Sequence, residues 1–153
     1  MEDLFCQLQL AKNVEGAGVV QDLIKEIWKE TPNCDSRYQL DNSIADLLLG
    51  EHQAALNKLS NITASDPSYG EAWSKKATVQ YMMGDKRGAI KSAEEALKID
   101  KQNFQALAGI GLIEMDSAQH DKAESAFRKS LAINPWLVSV SSRLHALISS
   151  KPR

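Results

Sequence analysis

The side chains with the readiest chemistry in this 153-residue chain are two cysteines and three histidines. Cys6 and Cys34 lack a Cys-x-x-Cys spacing and have no histidine beside them, so no zinc site is expected. A Cys–His nucleophile at Cys6 would need a base from far along the chain, because no histidine occurs among the first 50 residues. His52 and His120 stand 68 residues apart, and His145 is isolated. Neither a third ligand nor an orienting group accompanies them. Gly109-Ile110-Gly111 falls in a helical pattern with no strand before it, which does not fit a phosphate-cradling loop. Glu94-Glu95 reads as a solvated helix face, and Lys75-Lys76 is too short for a nucleic-acid patch. The residues therefore predict no catalysis, no metal and no cofactor.

Composition agrees with that reading. Hydrophobic residues make up 43% and charged residues 25%, which is ordinary for a globular domain. A formal net charge of −2, from 18 basic and 20 acidic residues, gives no pull toward nucleic acid or anionic lipid. No apolar run reaches the roughly 18 residues of a membrane span, so membrane insertion is not expected. Met1-Glu2-Asp3 is acidic where a signal peptide is basic. A cytoplasmic location with reduced thiols is expected. Asn61-Ile62-Thr63 matches a glycosylation sequon inside a helical stretch and reads as chance.

The elements that position these side chains recur every 34 residues. Leu40, Ser74 and Ala108 share a phase, as do Ala55, Ala89 and Ala123, and Ser43, Ala77 and Gly111. Gly50 precedes Gly84 by one period, and Pro67 precedes Pro135 by two. Helical periodicity runs nearly throughout, and prolines fall only at unit ends or near the C-terminus. A period of this length is the signature of stacked helix pairs. The expected fold is an all-α, right-handed solenoid of antiparallel helix pairs with about nine helices. Its units are a divergent N-terminal pair at 1–35, repeats at 36–69, 70–103 and 104–137, and a capping helix with a tail at 138–153. The first segment, nearly one period long, reads as a worn repeat with a loop at Gly16 and Gly18 and a stop at Pro32. Small residues at Ser43, Ala77 and Gly111, facing Ala55, Ala89 and Ala123, would let each pair close.

Leu107-x-x-Ile110-Gly111, Ala123-x-x-x-Phe127 and Pro135, with Trp73, Ala77, Gly84-Asp85, Ala89 and Ala96 in the unit before, resemble the tetratricopeptide repeat. Lys101, Gln80, Glu114 and Ile62 depart from its pattern singly. In that family, His52 and His120 take a loop position usually held by an aromatic ring, so their spacing follows from packing. The resemblance implies a protein or peptide partner on a concave groove lined by the first helix of each pair. Carried over by position, that groove comprises Arg37, Leu40, Ile44 and Leu47; Glu71, Ser74, Lys75, Thr78 and Tyr81; and Gln105, Ala108, Leu112 and Met115. Ile44 and Leu112 are the members most apt to pack locally.

One subclass of the family clamps the C-terminal carboxylate of chaperones with lysine, arginine and asparagine. Those positions here hold Leu40, Ile44, Lys75, Gln105 and Gly109, of which Lys75 alone suits a carboxylate. The expected function is a non-catalytic adaptor that binds a peptide or amphipathic helix in the groove, as a monomer or weak homo-oligomer. The alternative is a structural subunit that assembles through its ends or convex face. A third arrangement has the N-terminal helices filling the groove.

Overall fold

Each repeat unit turns on a residue in the left-handed region. Gly50 (φ 78°), Gly84 (φ 84°) and Ala118 (φ 56°) stand one period apart. At each, two amides fold back on the helix just ended. Glu51, Asp85 and Gln119 donate to the carbonyls of Asp46, Gln80 and Glu114 at 2.8, 2.8 and 2.9 Å. Gly50, Gly84 and Ala118 donate to Leu47, Tyr81 and Met115. This double bond pattern satisfies carbonyls that a helix end otherwise leaves open. It also reverses the chain, so the next helix returns antiparallel.

The computed structural model describes residues 1–30 and 33–150. The expected stop at Pro32 and the expected tail at 151–153 lie outside the described residues. Among the described residues there are nine helices and no strand. They are α1 (Glu2–Leu10), α2 (Val14–Lys29), α3 (Cys34–Leu48), α4 (His52–Ser65), α5 (Gly70–Met82), α6 (Lys86–Ile99), α7 (Phe104–Asp116), α8 (His120–Ile133) and α9 (Val138–Ser149). Helices α3 to α8 form three antiparallel pairs, stacked in order, with α9 on the last. Ser43, Ala77, Gly111, Ala55, Ala89 and Ala123 are all buried. At Gly111 the approach is tight: an added Cβ would come within 2.4 Å of two ring carbons of Phe127. That contact fixes how near α7 lies to α8.

The N-terminal pair departs from the sequence expectation. Gly16 and Gly18 do not form a loop, because the Asn13 side chain accepts from the Gly16 amide at 2.8 Å and starts α2 early. Nor does the pair sit as a worn repeat beneath α3. Phe5, Leu8, Ala17 and Ile24 instead share a core with Phe104, and Trp28, Ile133, Trp136 and Leu137 pack around it. The Trp28 and Phe104 rings meet with centroids 5.1 Å apart.

Polar contacts tie the same helices to the turns between pairs. Trp28 Nε1 donates to Asp100 at 2.7 Å, Gln21 Nε2 to Asn134 at 3.5 Å, and Tyr69 Oη to the Lys29 carbonyl. Trp136 Nε1 donates to the Leu8 carbonyl, and Gln9 to that of Ala132. Asp100 and Asn134 are one period apart. Gln21 and Trp28 are separated by about 10 Å of helix, the spacing of packed helices at about 8–10 Å. Helix α2 therefore steps from turn to turn along one edge of the stack. It leaves Tyr38 and Leu49 of the first pair exposed.

Candidate functional site

The first helix of each pair, together with α2, walls a groove with two adjoining cavities. The larger, about 590 Å³, is lined by Ile44, Leu47 and Leu48 of α3, Glu71, Lys75 and Thr78 of α5, and Gln105 of α7. Asp22, Lys25, Glu26 and Lys29 of α2 complete it. The smaller, about 140 Å³, lies between α5 and α7 with Ala93 of α6 behind them. Its lining is Ser74, Lys75, Ala77, Thr78, Tyr81, Gln105, Ala106, Gly109, Leu112 and Ile113. Lys75, Thr78 and Gln105 border both, so the two form one trough.

The positions carried over from the repeat pattern divide. Glu71, Ser74, Lys75, Thr78, Tyr81, Gln105 and Leu112 line the trough, and Ile44 and Leu47 do so at the α3 end. Leu40 does not. It is fully buried with Ala55, Leu59 and Tyr69, on the side of α3 that faces its own pair and the next turn. Arg37 is drawn away, with its guanidinium on Asp41 at 3.3 Å and on the Lys29 carbonyl at 3.1 Å. Ala108 and Met115 pack instead against the cluster of Phe127, Val140 and Leu147. Ile44 and Leu112, expected to pack locally, both pack on a core cluster and reach the trough.

Two features escaped the sequence reading. One is the α2 wall, whose signal was the acid–base alternation Asp22/Lys25 and Glu26/Lys29. The other is the role of Gly109: a Cβ there would meet nothing within 4 Å, so the missing side chain leaves a notch in the trough floor.

The charges of the trough are paired within it. Lys25 lies 3.0 Å from Asp22, Lys29 2.6 Å from Glu26, and Lys75 3.1 Å from Glu71. The Lys29 ammonium, bonded to Glu26, holds that carboxyl below its ordinary range. Glu71 is 4% exposed, and its Oε2 has no hydrogen-bond partner. At the far rim Tyr81 donates to Asp116, which raises the Tyr81 hydroxyl above the ordinary phenol value. Asn103 donates to Ser74 Oγ at 3.1 Å and caps α7 through the Ala106 amide, fixing α5 against α7.

No such constellation surrounds the histidines. His52 is half-buried, His120 and His145 are exposed, and both cysteines are free and exposed. Among the described residues no group of three His, Cys, Asp or Glu is placed to hold a metal ion. No described helix is long and apolar enough to cross a membrane.

The tetratricopeptide-repeat family model matches residues 70–103 and 104–135, the two units that build most of the trough. Those two units read as tetratricopeptide repeats. A repeat-containing protein of Rhizobium etli is 25% identical over 135 residues, covering 88% of this chain and 66% of the relative. Another from Methanocaldococcus jannaschii is 26% identical over 130 residues, covering 85% of this chain and 22% of the relative. The chain thus spans less than two thirds of either relative. Solved tetratricopeptide structures share the fold. The Sgt2 domain of Aspergillus fumigatus superposes with a TM-score of 0.73 at 19% identity, over 80% of this chain and 88% of that one. MamA gives 0.71 at 21% identity, over 89% and 77%. The first such domain of Spaghetti (RPAP3), solved with the HSP90 peptide SRMEEVD, gives 0.73 at 11% identity, over 76% and 92%. Tetratricopeptide repeats are in general non-catalytic modules for protein–protein interaction.

Proposed function

We propose that this chain is a non-catalytic adaptor that holds a peptide or amphipathic helix of a partner protein in the trough. The observation that carries the reading is the continuity of the two cavities across Lys75, Thr78 and Gln105. A mostly apolar smaller cavity, continued by a larger one in which Ile44, Leu47 and Leu48 stand beside paired charges, is a surface that suits an amphipathic helix or extended segment. The groove-lining set in this reading is Ile44, Leu47, Glu71, Ser74, Lys75, Thr78, Tyr81, Gly109, Gln105 and Leu112. The partition into repeats at 36–69, 70–103 and 104–137, with a cap after them, belongs to the same proposal, as does a cytoplasmic setting.

A chaperone-tail clamp is not part of it. Such a clamp needs unpaired cations, and Lys75 is held by Glu71. In this reading α2 is a wall of the trough and leaves its length to the partner. Affinity capture tests the proposal with Thr78→Arg, which places a long side chain at an exposed position on the saddle between the cavities. Partners held by the wild type should be lost while helicity and melting stay unchanged. Equal capture by both would sink it.

A second reading, assembly into a larger structure, is supported by the first pair. Tyr38 and Leu49 are 68% and 75% exposed there, and large exposed apolar side chains are available to an interface. Light scattering across a concentration series separates it from the first, since a simple adaptor stays monomeric.

A further inference from the structure

We infer that Glu71 sets the specificity of the trough, cancelling Lys75 so that the site takes an uncharged segment anchored by one bulky apolar side chain. The inference rests on the groove-binding reading above and names the chemistry of the ligand.

Three carboxylates stand against three ammonium groups around the larger cavity, each ammonium within 3.1 Å of a carboxylate. A charged side chain entering there would find no uncancelled opposite charge, and exposed paired charges add little attraction of their own. An uncharged segment needs none. The apolar part of the ligand goes to the notch over Gly109. A dry apolar cavity of about 150 Å³ holds a benzene ring, so about 140 Å³ suits one leucine or phenylalanine side chain.

Charge balance makes the reading directional. Glu71→Gln keeps the shape and frees Lys75 as a net cation in the trough. Lys75→Met frees Glu71 as a net anion. Random peptides displayed on phage, selected separately on wild type, both variants and Gly109→Leu, provide the probe. Wild type should enrich uncharged peptides with one large apolar residue. Glu71→Gln should enrich carboxylate-bearing peptides, and Lys75→Met lysine- or arginine-bearing ones. A synthetic peptide from the wild-type pool should bind roughly tenfold or more weakly to Glu71→Gln or Gly109→Leu. Circular dichroism identifies any variant that fails to fold, and the other charge variant then carries the test. Acidic or basic peptides from wild type, or pools whose charge ignores both variants, overturn the role of Glu71 while leaving groove binding intact. No enrichment on wild type, or equal enrichment on Gly109→Leu, overturns the groove reading itself and this inference with it.

Discussion

Two glycines in α7, separated by one residue, should answer the same substitution differently. Gly109→Ala and Gly111→Ala each gain about 1 kcal/mol from helix propensity. At Gly109 nothing lies within 4 Å of the new methyl group, so the gain is kept. At Gly111 the methyl would stand 2.4 Å from two carbons of the Phe127 ring, which is itself fully buried. Forcing such a contact costs about 1–3 kcal/mol, which cancels or reverses the gain. The variants should therefore differ by about 1–3 kcal/mol, all of it from the α7–α8 contact. A chain of this size shifts its Tm by about 2–4 °C per kcal/mol. Urea midpoints at unchanged slope report the same difference. Equal stabilisation by both substitutions would refute the packing argument, as would a loss at Gly109. The Gly109 variant should also bind groove ligands less well, because its methyl group shallows the notch. A residue kept at a cost in stability is the usual mark of a binding surface.

Ala118 occupies a left-handed position where its two equivalents are glycine. Ala118→Gly should stabilise by about 0.5–1 kcal/mol in thermal melts, since the left-handed conformation costs an L-residue about 1–2 kcal/mol and glycine returns part of that as entropy. Burial is the main cause that raises the Tyr69 hydroxyl above the ordinary phenol value. The unfolded chain therefore ionises first, near pH 10, and the stability from Tyr69 is complete below that pH and lost as pH rises above it. Tyr69→Phe should flatten this alkaline loss in urea titrations, and an unchanged slope would exclude Tyr69 as its source. Trp28→Phe removes a donor to the Asp100 carboxylate and should cost about 1–2 kcal/mol. Amide exchange in α2 should quicken more than in α7, and uniform exchange would show that α2 is not held by this bond.

The repeat pattern made the stack legible because its causes are local or lie one period away. Gly50 and Gly84 mark turns by backbone need, and Ser43, Ala77 and Gly111 mark close approaches by size. The trough was legible only in part. Leu40, Ser74 and Ala108 share a phase but not an environment: Leu40 is buried under Tyr69, Ser74 borders a cavity, and Ala108 leans on the α9 cluster. Each depends on what the neighbouring unit supplies, which phase does not encode. Helix α2 was legible as a helix, not as a wall. Its anchors at Asp100, Asn134 and Trp136 lie far along the chain, and no local periodicity specifies such a docking register.

The bond from Trp136 to the Leu8 carbonyl spans 128 residues. In a plain linear array each unit feels only its neighbours, and unfolding can begin at either end and travel inward. Here the first helix is fastened near the last, so the array is a closed circuit. Fraying from the C-terminal side must break the docking of α1 and α2 as well as the stack. Closing so long a loop adds contact order and slows folding relative to an open array of equal length, while unfolding becomes a more concerted event.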